Sequence, residues 1–166
     1  MRNCFQNKNE TIWEHCQSVL KHYNELLINF PIRFDKYKNF LLSNQLDIKI
    51  ITEYISWHDV GKPFCEFDSH FIDHANKSAD VYSQISSNEL VISLIRNDML
   101  FHTIKPKDVN SLTQDVKWLC TLALTALAAI ESNSEMFGGK QSESYKIKIS
   151  NWERRLKQLF MKFNRS

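Results

Sequence analysis

Apolar residues recur along most of this chain at three- and four-residue intervals, the spacing that places them on one face of an α-helix. From Asn9 to Phe30 the stripe Ile12, Cys16, Val19 and Leu20 predicts a first helix, with Thr11 able to cap it, His15 on the stripe and Pro31 beyond its end. A short second helix is expected over Asp35 to Leu42. A third runs from Asp47, a capping residue, through Ile51, Tyr54 and Ile55 to His58 and Asp59, where Gly61 and Pro63 stop it. Phe64 to Ile72 has no clean period and reads as a loop able to cover a site. His74, Ser78, Val81, Tyr82 and Ile85 share one face of a fourth helix. Val91, Leu94, Ile95, Asp98 and His102 share one face of a fifth, from Asn88 to about Thr103. Lys105 to Asp108 is a turn. A leucine- and alanine-rich sixth helix, Ser111 to Glu131, carries Val116, Cys120, Ala123, Leu124 and Leu127 and is expected to be central. Ser132 to Ser144, with Gly138-Gly139, reads as a loop. A basic amphipathic helix over about residues 145–163 turns Ile149, Trp152, Leu156 and Phe160 inward.

Composition agrees with this all-α reading. The chain has 166 residues, 43% of them hydrophobic, with only three glycines and three prolines, which is little turn material for a β fold. That length suits one domain with a real core. A formal charge of +2 is too small to imply nucleic-acid binding by itself, although the C-terminal segment is locally basic. Cys4, Cys16, Cys65 and Cys120 form no CxxC pair and follow a polar N-terminus, so a reducing, cytoplasmic setting is expected. The longest apolar run, Trp118 to Ile130, is short for a membrane span and contains Thr121 and Thr125, so no membrane association is expected.

The chemistry lies in polar residues that interrupt apolar stripes. His15, His58, Asp59, His74, Asp98, His102 and Glu131 all occupy positions expected to face inward. Burying one ionisable group without a partner costs several kcal/mol, so seven of them on five helices call for a shared partner. His58-Asp59, at a helix end closed by Gly61, offers an imidazole nitrogen and a carboxylate oxygen to one cation. Asp98 and His102, spaced i, i+4 on a continuous helix, would lie roughly 6 Å apart.

The order His15, then His58-Asp59 within Trp57-His-Asp-Val-Gly-Lys-Pro63, then His74 and a later acid on helices, resembles the HD-domain superfamily of metal-dependent phosphohydrolases. The heptapeptide is the specific part; order, spacing and helical placement extend the resemblance over about residues 10–131. It implies a single HD-like bundle of about six to seven helices holding one or two divalent ions (Mg, Mn, Fe, Ni or Co). It also implies hydrolysis of a phosphoester in a nucleotide, a cyclic phosphate or a nucleic-acid end through a metal-activated water. Under that resemblance His15, His58 and Asp59 are ligands, Asp59 is the bridging carboxylate if two ions bind, and His74 and His102 are additional ligands. Where the family usually has a last aspartate in an alanine-rich helix, this chain has Leu127. Asp98 or Glu131 would then stand in. The alternative is a catalytically reduced HD domain that binds a nucleotide or a protein partner without hydrolysis.

Lys62, just past the helix end, can neutralise a phosphate oxygen or be a solvated lysine near a helix C-terminus. Lys140, Lys146, Lys148, Arg154, Arg155, Lys157, Lys162 and Arg165 can extend a phosphate-binding surface or form the wet face of an amphipathic helix. Phe137-Gly-Gly-Lys140 lacks the spacing of a nucleotide P-loop. His22, two turns from His15, is left out of the site, and His70 is a reserve in the loop.

Overall fold

The computed structural model describes residues 5–7, 10–65 and 73–164. Among these the protein is all-α apart from a two-stranded antiparallel ribbon, β1 (Phe5–Asn7) and β2 (Glu10–Thr11). Eight α-helices follow: α1 (Ile12–Ile28), α2 (Asp35–Ser43), α3 (Ile48–Trp57), α4 (His74–Ser83), α5 (Glu89–Arg96), α6 (Leu100–Thr103), α7 (Val116–Phe137) and α8 (Glu143–Phe163). No described helix is long and apolar enough to cross a membrane. The chain gathers into two compact units, one of Met1–Lys21 with Asp47–Asp98 and one of His22–Leu46 with Met99–Ser166.

Helix starts follow the capping chemistry in the sequence. Thr11 Oγ1 accepts from the Glu14 amide (3.1 Å) while Glu14 Oε2 accepts from the Thr11 amide (3.3 Å). This reciprocal box satisfies two otherwise orphaned donors at the start of α1 and stabilises by about 1 kcal/mol. Asp47 caps α3 through the Lys49 amide (2.8 Å), and Asp115 caps α7 through the Lys117 amide (2.8 Å).

In the first unit, α3 and α4 both pack on α5. Ile51, Tyr54, Ile55, Ala79, Tyr82, Val91, Leu94 and Ile95 are buried there. α3 ends at Trp57 because Pro63 has no amide to donate and its ring would clash with the carbonyl of Asp59 in a continuing helix. The chain tightens instead into short turns closed by the Val60 amide on Trp57 O and the Lys62 amide on Asp59 O. In the second unit, α7 packs on α2, α6 and α8, and most of its residues are buried, Leu127 among them. Trp152 of α8 is fully buried and donates Nε1–H to Ala123 O (2.8 Å).

Three expectations change. The stretch from Asn88 to Thr103 is two helices, α5 and α6, separated at 97–99. Asn97 closes the last turn of α5: its amide donates to Ser93 O (3.1 Å) and Leu94 O (3.2 Å), and its side-chain Nδ2 donates to Ser93 O as well (2.8 Å). Asp98 therefore lies in a turn, and the i, i+4 relation with His102 along one helix face does not hold. The sixth expected helix starts later and ends later: residues 106–111 form a 3-10 turn, and α7 runs six residues beyond Glu131 to Phe137. Its stop is Gly138, whose φ of 130° lies where side-chain-bearing residues are strained. Of the proposed covering loop, residues 66–72 and His70 with them lie outside the described residues.

Candidate metal centre

Three helix ends and one helix face of the first unit bring five ionisable side chains to one place. His15 projects from α1, His58 is the residue that ends α3 and Asp59 follows it, His74 opens α4, and Asp98 lies in the turn after α5. His15, His58 and Asp59 form one group of ligand atoms all within 4.8 Å of one another; Asp59, His74 and Asp98 form a second. Asp59 belongs to both, and its carboxylate is almost wholly buried.

Four nitrogens surround the Asp59 carboxylate. Oδ2 lies 3.3 Å from His15 Nε2 and 3.4 Å from His58 Nε2, and Oδ1 lies 3.4 Å from His74 Nε2. These separations exceed a good N–H···O bond, which spans about 2.7–3.2 Å. They match the spacing between ligands of a common ion: donors about 2.0–2.1 Å from a tetrahedral cation stand about 3.4 Å apart. Asp59 Oδ2 and His15 Nδ1 are also buried without a hydrogen bond of ordinary geometry. Imidazole nitrogen with carboxylate oxygen is a donor set that divalent transition metals accept, so these residues fit a metal ion.

Supporting contacts set the orientation of individual ligands. His58 Nδ1–H donates to Ile55 O at 2.6 Å, which satisfies a carbonyl of the last turn of α3 and turns Nε2 toward Asp59. Tyr54, one turn earlier on α3, is fully buried and donates its hydroxyl to Asp98 Oδ1. Cys16 Sγ lies 3.7 Å from His58 Nδ1. Glu10 of β2 is buried, with Oε2 3.6 Å from His15 Nδ1. Gly61 donates its amide to Ser78 Oγ (2.8 Å), holding α4 against the turn that carries Asp59.

Lys62 is buried and places Nζ 3.0 Å from Asp59 Oδ2 as an ion pair. Burial opposes charge on Asp59, but His58, Lys62, His15 and His74 outweigh it and hold the carboxyl well below the usual carboxylate range. Burial also opposes charge on His58, yet the neighbouring Asp59, then Cys16 and Asp98, more than offset it. The imidazole keeps its proton well above the usual histidine range.

His102 and Glu131 belong to the second unit and to neither ligand group. His102 is half-buried in α6. Glu131 accepts from the Tyr145 hydroxyl (3.0 Å) and pairs with Lys140 Nζ (3.2 Å). His22 pairs with Glu135 at 2.6 Å. Part of the C-terminal basic face is committed to backbone carbonyls: Arg155 donates to Ile104 O (2.6 Å) and Lys162 to Asn110 O (2.8 Å).

Sequence reasoning missed Glu10, Tyr54 and Cys16 as parts of this centre. Tyr54 and Cys16 carry no signal that separates them from core residues. Glu10 precedes the first helical stripe, and only the turn from β2 into α1 brings it over His15. Compared with known proteins, the chain matches no family model, no curated protein and no solved structure.

Proposed function

We propose that this chain is a metal-dependent phosphohydrolase of the HD-domain type, cleaving a phosphoester of a nucleotide, a cyclic phosphate or a nucleic-acid end. The observation that carries the reading is Asp59 Oδ2 set 3.3–3.4 Å from two imidazole nitrogens, with Oδ1 facing a third. A divalent ion bound there would supply an acidified water and charge stabilisation at a phosphoryl oxygen. His15, His58 and Asp59 would hold one ion. Asp59, His74 and Asp98 offer a second position, for which Asp98 supplies the acid expected near Leu127. Tyr54 holds one oxygen of Asp98 and so steadies the carboxylate beside Asp59 and His74. Lys62, ion-paired with Asp59, would be the cation that meets a non-bridging phosphate oxygen.

Protein purified without chelator is expected to carry at least half an equivalent of a divalent transition metal and to hydrolyse bis(p-nitrophenyl) phosphate faster when manganese is added. Less metal than that, with turnover unchanged by manganese, would remove the reading. One observation favours a second reading: the Lys62 ammonium already neutralises Asp59 inside the site. A catalytically reduced domain would keep that ion pair and bind a phosphorylated ligand without hydrolysing it.

The two perturbed groups give the pH dependence. Asp59, depressed, contributes stability above its ordinary value of about 3.9 and loses it as pH falls toward the folded value. His58, raised, contributes fully below about 6.5 and loses it as pH climbs through the folded value. Metal must displace the proton on His58, so stabilisation by added manganese is expected to grow as pH rises from about 5 to about 8. Thermal denaturation with and without manganese reads this directly; a larger metal-induced rise in Tm at the acid end would contradict the assignment of His58.

A further inference from the structure

We infer that Glu10 is the positioning residue for His15, the carboxylate that holds its Nδ1 proton and thereby presents Nε2 to the ion; this rests on the metal-site reading above. Glu10 is 4% exposed, and a carboxylate is rarely buried to that degree on a two-residue strand without a cationic or proton-donating neighbour. One such neighbour is His15 Nδ1, 3.6 Å from Oε2; that nitrogen is buried without a hydrogen bond of ordinary geometry. The opposite nitrogen of the same ring faces Asp59. One carboxylate therefore lies behind the imidazole and one in front.

The backbone fixes this arrangement at both ends. Glu10 pairs with Asn7 in the ribbon, and the box between Thr11 and Glu14 locks the first turn of α1, on which His15 lies. The separation of 3.6 Å exceeds hydrogen-bond length by under about 1 Å. His58 has its tautomer set by Ile55 O; without Glu10, His15 would have no comparable acceptor at Nδ1 among its described contacts. A neutral imidazole with the proton on Nε2 cannot ligate through that atom, so the acceptor at Nδ1 decides whether Nε2 is available.

Zinc is the probe, because mixed histidine and carboxylate ligation suits it and it is diamagnetic. Zinc affinity is measured by competition with a chromophoric chelator for the unaltered protein, Glu10→Gln and Glu10→Ala, and the His15 tautomer by nitrogen-15 NMR of the zinc-loaded protein. Loss of about tenfold in affinity is expected for Glu10→Gln and up to about a hundredfold for Glu10→Ala. In the unaltered protein His15 should bind zinc through Nε2 with a hydrogen-bonded Nδ1 proton. Unchanged affinity in both variants, or ligation through Nδ1 in the unaltered protein, would overturn the role of Glu10 while leaving the site intact. Failure of the unaltered protein to bind zinc would remove the site and this inference together. Should either variant fold poorly, the tautomer in the unaltered protein still decides.

Discussion

Asp59→Asn is expected to abolish metal retention and reduce turnover to background while leaving a folded but less stable protein. The amide keeps the shape of the carboxylate and removes its charge. Asp59 is the member common to both ligand groups, so the first position loses its one carboxylate and the second keeps Asp98 alone. The same change takes the counter-charge from His58, Lys62, His15 and His74, the four groups that hold the carboxyl ionised. Lys62 is buried, and removing the anion of a buried ion pair costs about 3–5 kcal/mol because the cation remains desolvated. Two measurements separate the effects. Metal analysis of purified protein reads the ligand role, and urea denaturation of metal-free protein reads the charge role. Asp59→Asn with the metal content of the unaltered protein would defeat the assignment. A metal-free stability within about 1 kcal/mol of the unaltered protein would show that Lys62 does not depend on this carboxylate.

How much of this was legible in the chain varies residue by residue. His58-Asp59 could be found because a helical stripe, a glycine and a proline mark the end of α3, and polar residues at a helix end point wherever that end is aimed. His15 and His74 were visible as polar interruptions of apolar stripes. Asp98 stands out in the sequence as an inward-facing acid, but it lies in a turn and not on a helix face. The apolar period continues on both sides of Asn97-Asp98, and periodicity alone cannot show that these two polar residues, which compete for backbone hydrogen bonds, open the helix there. The apolar stripe of α7 stops at Glu131, but the helix runs on to Phe137, and Gly138 is the better signal of its end. Glu10 was out of reach. A two-residue strand has no period to detect, and the approach of Glu10 to His15 depends on the direction in which the ribbon enters α1.

Gly61→Ala is expected to destabilise the protein by about 3 kcal/mol and to lower its metal content, although alanine is the better residue by local backbone preference. Gly61 has φ −83° and ψ −10°, a conformation any residue adopts. What requires glycine is the closeness of α4. An added Cβ would stand 2.2 Å from the backbone nitrogen of Ser78, 2.5 Å from the carbonyl carbon of Lys77 and 2.8 Å from Lys77 Cβ. Two of those three atoms are backbone, so no rotamer change relieves the overlap and α4 must retreat. Overpacking typically costs about 1–3 kcal/mol, and a clash with a helix backbone belongs at the upper end. For a domain of this size, about 3 kcal/mol lowers Tm by about 6–12 °C. The retreat also breaks the bond from the Gly61 amide to Ser78 Oγ and carries His74, the first residue of the same helix, away from Asp59 Oδ1. Gly139→Ala supplies the contrast. Its φ is 74° but nothing lies within 4 Å of a new Cβ, so it should cost only the conformational penalty of about 1 kcal/mol and leave metal content unchanged. Denaturation midpoints and metal content of the two variants, measured side by side, test whether Gly61 is there to let α4 approach. Equal destabilisation, or a Gly61→Ala protein that keeps its metal, would mean that α4 does not need this contact to hold His74 in the centre.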